Sequence, residues 1–384
     1  MRGRRVLLIT NWLGWAGAER QLEHLAIGLA RGGASVTLLA IGDQKNDEDA
    51  PLREAGVRLV FLGAIGPAAK LRSLRRLVGH ARAADIVHCT GWDATLWGRL
   101  AAFLARRPVV ITEHTPGRDS QVKSADGSAG VRVIALHNRL LDHVTYATIV
   151  VGVWQEELLV SEGVRRQSLV HVPNGVPIET VRERATGVTR ASIGVPDAAP
   201  LLIEVARFQP QKGQEVALRA VERLRREHGD VRLVFVGGEG NEAELKELAA
   251  SMGADWAHFV GFRQDVPALL ALADISILPS TAEGLPMSLI ETVAVGTPIV
   301  ATDVGDIRWF LETTGAGLCV PAGDEDAFTA ACGELLGDPA RREAIAAAAR
   351  AGAMEFDAGK MVRRYETVLE AAIEDRPLPV ELAE

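Results

Sequence analysis

Two groups of side chains in the second half of the chain have the types and spacing to handle a phosphorylated, hydroxyl-rich ligand. Arg207-Phe-Gln-Pro-Gln-Lys212-Gly213 sets two cations ahead of an amphipathic stretch. Cations beside a helix N-terminus neutralise a diphosphate without a metal ion. Glu283-Gly-Leu-Pro-Met-Ser-Leu-Ile-Glu291 sets two acids eight residues apart, with Pro286 suited to the first turn of a helix. Carboxylates at such places accept hydrogen bonds from sugar and ribose hydroxyls, and the amides of Gly284 and Leu285 can donate to phosphate. On spacing alone, solvated surface charge is the favoured reading of each group. Position favours chemistry, because both follow apolar runs that read as parallel strands, and open α/β sheets bind ligands beyond the carboxyl ends of their strands.

The elements that must carry these residues alternate along the whole chain, short apolar runs with longer amphipathic ones. Strands are expected at 6–10, 35–41, 57–62, 85–89, 109–112, 148–151 and 169–172, then at 201–206, 232–236, 258–260, 274–278, 298–301 and 318–320. Helices are expected at 19–31, closed by Gly32-Gly33, and at 213–227, 242–252 and 286–295, with a last one at 360–373. Glu283 then lies in a ligand-facing loop and Glu291 about two turns into the next helix. Gly237-Gly238-Glu239-Gly240 reads as a tight strand-to-helix turn. The simplest assembly is two Rossmann-like, doubly wound domains, with the seam in the polar, Pro- and Gly-containing stretch 176–200.

Composition agrees with two globular domains. The chain has 384 residues, 48% hydrophobic and 24% charged, which excludes disorder and collagen-like repeats. A net charge of −8 gives no support for nucleic-acid binding. Residues 1–187 carry 24 Lys and Arg against 18 Asp and Glu, a balance of +6, while residues 188–384 carry 18 against 32, or −14. Cys89, Cys319 and Cys332 are dispersed, so neither a disulfide framework nor a zinc site is expected. No apolar run approaches the roughly 18–20 residues of a membrane span. A cytoplasmic location is expected, with any membrane contact peripheral, at the inner face.

Three tryptophans, Trp12, Trp15 and Trp92, fall just after predicted strands, where they can stack on a sugar or another flat apolar ligand or simply pack. Residues 70–82 interleave Lys70, Arg72, Arg75, Arg76, His80 and Arg82 with leucines, the pattern of a basic helix that suits either a solvated face or an anionic membrane. Two acidic triplets, Asp47-Glu-Asp49 and Asp324-Glu-Asp326, have the form of a metal motif. The first sits in a charged loop and the second reads as a helix N-cap, so no metal is expected at either.

Together these residues resemble the retaining glycosyltransferases of family 4, which have the GT-B fold of two Rossmann-like domains facing a central cleft. The resemblance rests on Arg207…Lys212-Gly213, on Glu283-x7-Glu291, and on Pro298-Ile-Val-Ala-Thr-Asp303-Val-Gly305. It extends to Ala16-Gly17-Ala18-Glu19, Thr112-Glu113-His114 and Val172-Pro-Asn174-Gly175-Val176, and so covers nearly the whole chain. The pattern departs from the family at Ala16, where a glycine is usual, and after Gly305, where Asp306, Arg308 and Trp309 stand.

The resemblance implies an acceptor-binding domain over 1–175, a donor-binding domain over 176–356, and a helix over 357–376 crossing back to the first domain. It also implies roles. Arg207 and Lys212 would hold the donor diphosphate, Glu291 the ribose hydroxyls and Glu283 the hydroxyls of the transferred sugar. Gly17 would allow close backbone approach to phosphate or sugar, and His114 would lie near the reaction centre. The nucleobase would lie against Gly261, Phe262 and Arg263. The implied reaction moves a hexosyl or N-acetylhexosaminyl group from a nucleotide diphosphate sugar, a UDP-sugar by family precedent, to a hydroxyl of a sugar, glycolipid or small molecule. Configuration would be retained and no cofactor or metal needed. Two other readings remain, a GT-B nucleotide-sugar 2-epimerase and a nonenzymatic nucleotide-sugar-binding protein.

Overall fold

A computed structural model describes residues 1–14, 17–43, 49–114, 139–238 and 240–378. The chain forms two compact units, Met1–Gly175 with Ala358–Glu384, and Val176–Asp357.

Among the described residues, the first unit is built on seven parallel strands: β1 (Arg5–Thr10), β2 (Ser35–Ala40), β3 (Arg58–Phe61), β4 (Ile86–Thr90), β5 (Val109–Glu113), β6 (Ala147–Val150) and β7 (Leu169–His171). Their order is β3-β2-β1-β4-β5-β6-β7. Helices cover both faces, which is why these strands are apolar runs without alternation. All five residues of β4 are buried. Helix Gly17–Arg31 presents Leu22, Leu25, Ala26 and Leu29 to the sheet at helical spacing, and the last helix, Ala358–Ile373, adds Met361, Tyr365, Val368 and Leu369 to the same core. The opposite face is closed by helices Pro67–Ala83 and Trp92–Ala105.

The second unit repeats the scheme with β8 (Leu201–Val205), β9 (Arg232–Val236), β10 (Ala257–Phe259), β11 (Ile275–Leu278), β12 (Ile299–Thr302) and β13 (Gly317–Val320), in the order β10-β9-β8-β11-β12-β13. In each sheet the winding reverses once, between β1 and β4 in the first and between β8 and β11 in the second. Loops that leave neighbouring strands at such a reversal diverge and open a crevice at the carboxyl edge.

The stretch 176–200, expected to be the seam, lies inside the second unit. Val176, Ile178 and Val181 enter its core, the last two from helix Ile178–Glu183, and this burial outweighs the polar composition of the segment. The division falls at Gly175/Val176 and again at Asp357/Ala358. Val176 N donates to Phe356 O at 3.1 Å and pairs with Asp357 as a parallel bridge. Gly175 lies against Ala358 and Met361, and its carbonyl accepts from His24 Nδ1 at 3.2 Å. Among the described residues no helix is long and apolar enough to cross a membrane.

Candidate functional site

At the reversal point of the second sheet, the loop after β8 and the loop after β11 are clamped together. Pro210–Lys212 forms a 3-10 turn, and Gly213 (φ +77°) then starts helix Gln214–His228. Any Cβ on Gly213 would overlap the carbonyl oxygen of Pro279. Only glycine combines that approach with that backbone angle. Thr281 N donates to Gln211 O at 2.8 Å, fixing the two loops in register.

The clamp brings Lys212 and Glu283 together. Lys212 Nζ donates to both carboxylate oxygens of Glu283 at 2.7 Å. The lysine side chain is 15% exposed and the glutamate 6%. Ser280, fully buried, donates through Oγ to Glu283 Oε1 at 2.7 Å, and its carbonyl accepts from Thr302 Oγ1 on β12. Gly305 (φ +57°) packs so tightly on the Glu283 backbone that a Cβ there would overlap the Glu283 carbonyl. This ties the Asp303-Val-Gly305 segment to the same loop.

A second acid stands close by. Glu204 on β8 is 1% exposed, and neither carboxylate oxygen has a hydrogen-bond partner. An unpaired buried carboxylate is too costly to keep ionised. Burial pushes the Glu204 pKa well above the usual carboxylate range, against the pull of Lys212 and reinforced by the nearby charge of Glu283. Burial therefore favours its protonated, neutral form. Sequence reading missed Glu204 and Ser280, although an acid inside Leu-Leu-Ile-Glu-Val was a visible signal.

The remaining predicted residues are distributed around this pair. Arg207 is exposed and makes no ion pair among the described residues, which leaves its guanidinium available to an anion. Pro286 precedes helix Met287–Val295, which places Glu291 one turn into the helix instead of two, half-buried. Gly284 is buried and Leu285 points into the core, so these two offer only their main chain to a ligand. After β10, Gly261 O accepts from Gly237 N at 3.0 Å and Phe262 is 58% exposed. Arg263 is held in a fork by Asp265, at 2.8 and 2.6 Å. Of the two acidic triplets, Asp324 caps helix Glu325–Gly337 by accepting from Ala327 N, while Glu325 and Asp326 pair with Arg219 and Arg223. Asp47 lies outside the described residues. Asp306 stands at the N-cap of helix Ile307–Thr314, and Arg308 pairs with Asp303 at 2.7 Å.

At the corresponding edge of the first sheet Glu113 ends β5, and Asp93, in the first turn of the helix after β4, pairs with Lys70 at 2.7 Å. Asn11, directly after β1, accepts from Ala94 N at 2.8 Å and so caps the helix that follows β4. Trp12 is 41% exposed there, and Trp92 opens helix Trp92–Ala105 half-buried. Trp15 lies outside the described residues. Gly17, expected in a loop, is the exposed first residue of helix Gly17–Arg31. His114 directly follows β5. Its Nε2 is enclosed without a partner, and burial pushes its pKa down to about 4, so the ring is neutral at pH 7.

Two parallel, doubly wound sheets, the second with glycine-clamped polar loops at its reversal point, are the architecture of a two-domain nucleotide-sugar enzyme fold. Residues 16–175 match the family model described as glycosyl transferase 4-like domain, and residues 187–352 match glycosyl transferases group 1. The chain belongs to the group 1 family and is a glycosyltransferase of family 4 type. It is 30% identical over 312 residues to a D-inositol 3-phosphate glycosyltransferase of Acidothermus cellulolyticus, covering 76% of this chain and 68% of that one. It is 29% identical over 293 residues to a phosphatidyl-myo-inositol mannosyltransferase of Mycobacterium leprae, covering 74% of each. Its GT-B fold is shared with Anabaena HepE, solved in complex with UDP-glucose, at a TM-score of 0.80 and 22% identity over 96% of this chain and 100% of that one.

Proposed function

We propose that the protein is a retaining, metal-independent glycosyltransferase that moves a hexosyl or N-acetylhexosaminyl group from a UDP-sugar to a hydroxyl of a polyol or sugar acceptor. The observation that carries this reading is the Lys212–Glu283 pair at the reversal point of the second sheet, beside the uncommitted Arg207. A ligand that offers both phosphate and hydroxyls satisfies both partners of the pair at once. The diphosphate takes Lys212 and Arg207, and the sugar hydroxyls take Glu283. Glu291 is assigned to the ribose, and the main chain around Gly261, Phe262 and Arg263 to the base. The solved complex of Anabaena HepE with UDP-glucose supports uridine as the base. The inositol acceptors named for the relatives support a polyol hydroxyl, and the positive first half suits one that carries a phosphate.

In the proposed reaction, the bond between the sugar's anomeric carbon and the diphosphate oxygen breaks as the acceptor oxygen bonds to that carbon from the same face. The acceptor's proton passes to a phosphate oxygen of the leaving diphosphate. Arg207 and Lys212 stabilise the charge that develops there, which is where preorganised donors contribute most. His114 is neutral and sits at the carboxyl edge of β5, so it serves as a hydrogen-bond partner to the sugar. Trp12, Trp15 and Trp92 are assigned to the acceptor.

Nucleotide sugars should raise the unfolding temperature by mass action, and the favoured donor should be consumed only when acceptor is present, giving product of unchanged anomeric configuration by NMR. Donor interconversion without acceptor would indicate the 2-epimerase. Binding without turnover would indicate the nonenzymatic protein, and no shift with any nucleotide sugar would overturn the proposal.

A second contact has its own observation. Helix Pro67–Ala83 exposes Leu71, Arg72, Arg75, Arg76 and Arg82 together, while Lys70 is spent on Asp93 at 2.7 Å. We propose that this face meets an anionic membrane surface that presents a lipid-borne acceptor. Salt-sensitive binding to anionic vesicles, lost on replacing the four arginines with glutamine, tests it.

A further inference from the structure

The Lys212–Glu283 pair is held by a third side chain, and the hydrogen bonds of the three can be counted atom by atom. Ser280 stands two residues beyond β11, fully buried, and its carbonyl accepts from Thr302 Oγ1 on β12. Its hydroxyl carries one proton and has two acceptors in reach, Glu283 Oε1 at 2.7 Å and the Lys212 carbonyl at 3.4 Å. The proton goes to the carboxylate, the nearer and stronger acceptor.

A carboxylate offers about four lone-pair sites, two on each oxygen. Lys212 Nζ takes one on Oε1 and one on Oε2, both at 2.7 Å, and Ser280 takes the second on Oε1. Oε1 is then full. Among the described residues nothing else donates to Oε2, so one acceptor site stays open, on that oxygen alone. The lysine ammonium has three protons and spends two of them on Glu283, which leaves one donor open in turn. Both side chains keep some exposure, 15% and 6%. One open donor next to one open acceptor is the complement of a phosphate oxygen next to a sugar hydroxyl.

Without Ser280 each carboxylate oxygen would have an open site, and the broad, two-fold torsion of the carboxylate would let either oxygen meet the ligand. The serine removes that freedom, and Thr302 anchors the serine from the neighbouring strand. We infer that Ser280 is a positioning residue for Glu283: it closes Oε1 and leaves Oε2 alone to the transferred sugar, which must answer with a hydroxyl proton. The inference rests on the reading of Lys212 and Glu283 as donor-site residues.

The test compares the binding of UDP with that of UDP-glucose and UDP-N-acetylglucosamine, by calorimetry on the full chain. UDP can reach the lysine but carries no sugar, so only the UDP-sugars report on Oε2. Ser280→Ala should weaken the better-bound UDP-sugar about 10-fold, the scale of a hydrogen bond to a charged group, and leave UDP within about twofold of wild type. Ser280→Thr, which keeps the hydroxyl, should keep the wild-type ratio of the two constants. Thr302→Val should move that ratio in the same direction by less. In a Glu283→Ala background, Ser280→Ala should not move it further.

Equal weakening of UDP and UDP-sugar in Ser280→Ala would make the serine a merely structural residue and overturn the inference. So would an unmoved ratio in both Ser280→Ala and Thr302→Val, or losses in Ser280→Ala and Glu283→Ala that simply multiply. If neither UDP-sugar binds the wild type, the donor-site reading falls and takes the inference with it. A wild type that binds normally, beside variants with an unmoved ratio, removes the inference alone. If Ser280→Ala fails to fold, Thr302→Val carries the same decision.

Discussion

At the reversal point of the second sheet a lysine and a glutamate hold each other, with Glu204, an acid whose pKa burial raises, nearby. In the first unit Thr112 on β5 and His88 on β4 are joined by hydrogen bonds to Tyr365 and Gln21 on two helices, and His88 and His114 are uncharged. The two sheets wind the same way, and on the proposed assignment of the donor to the second unit and the acceptor to the first, the difference follows what each edge would meet. A mobile anion is gripped by charge placed locally, even inside a unit whose overall balance is acidic. A neutral hydroxyl and a sugar ring are better met by fixed hydrogen-bonding directions.

The sharpest way to break the contrast is to remove its cation. Lys212→Ala should cut transfer by about a thousandfold. It should also destabilise the second unit by about 3 kcal/mol, because Glu283 is left buried without its partner. The double variant with Glu283→Ala should melt higher than Lys212→Ala alone while remaining inactive, and a double variant that melts lower would show that the pair is not the source of the loss.

Acid should act on the other unit. His24 and His114 are held at about 4 and His88 at about 3, mainly by burial, against an ordinary value of 6.5. Their folded pKa values are depressed, so the stability they contribute is complete above about pH 6.5 and lost as pH falls through about 4. For fully buried His88 the loss is on the order of several kcal/mol. Hydrogen exchange at pH 7 and pH 4.5 should show the first unit opening first on acidification.

A smaller effect is expected at the loop clamp. Gly213→Ala meets both an unfavourable backbone angle and the Pro279 carbonyl, at about 1–3 kcal/mol. Donor KM should rise with little change in acceptor KM. Smaller still, and opposite in pH sense to the histidines, is Glu204. Its folded pKa is raised, so the stability tied to its proton is complete below the unfolded value near 4.5 and is lost as pH rises through the folded one. Glu204→Gln should therefore melt a few degrees above wild type at pH 8 and show no such gain at pH 4. The least effect is assigned to the exposed ring after β1. Trp12→Ala should raise acceptor KM a few-fold and leave donor binding alone, and unchanged acceptor kinetics would remove it from the pocket.

The elements were legible because parallel strands buried on both faces have to be apolar runs. Residues 232–236 form the strand that was read from them, and 201–206 and 169–172 overshoot by one residue. The Lys212–Glu283 bond was not legible, since 71 residues separate its partners and each was read as waiting for a ligand. Tyr365 and Thr112 are 253 residues apart, and a lone tyrosine on an apolar helix face reads as core. Glu204 was visible as an acid inside a strand, yet its protonation depends on the absence of any partner in three dimensions. Asn11 gave no signal at all, because its helix cap lies across the sheet.

The division of the chain also sets an order of assembly. The second unit is continuous, Val176–Asp357, whereas the first is completed only by residues beyond 357. As the chain emerges during synthesis, the first sheet is made early but waits through the whole of the second unit for Tyr365, Val368 and Leu369 to cover Leu25 and satisfy Thr112. Until then an apolar face and a buried-polar cluster stand open to water and to chaperones. The unit made first is the one that finishes last.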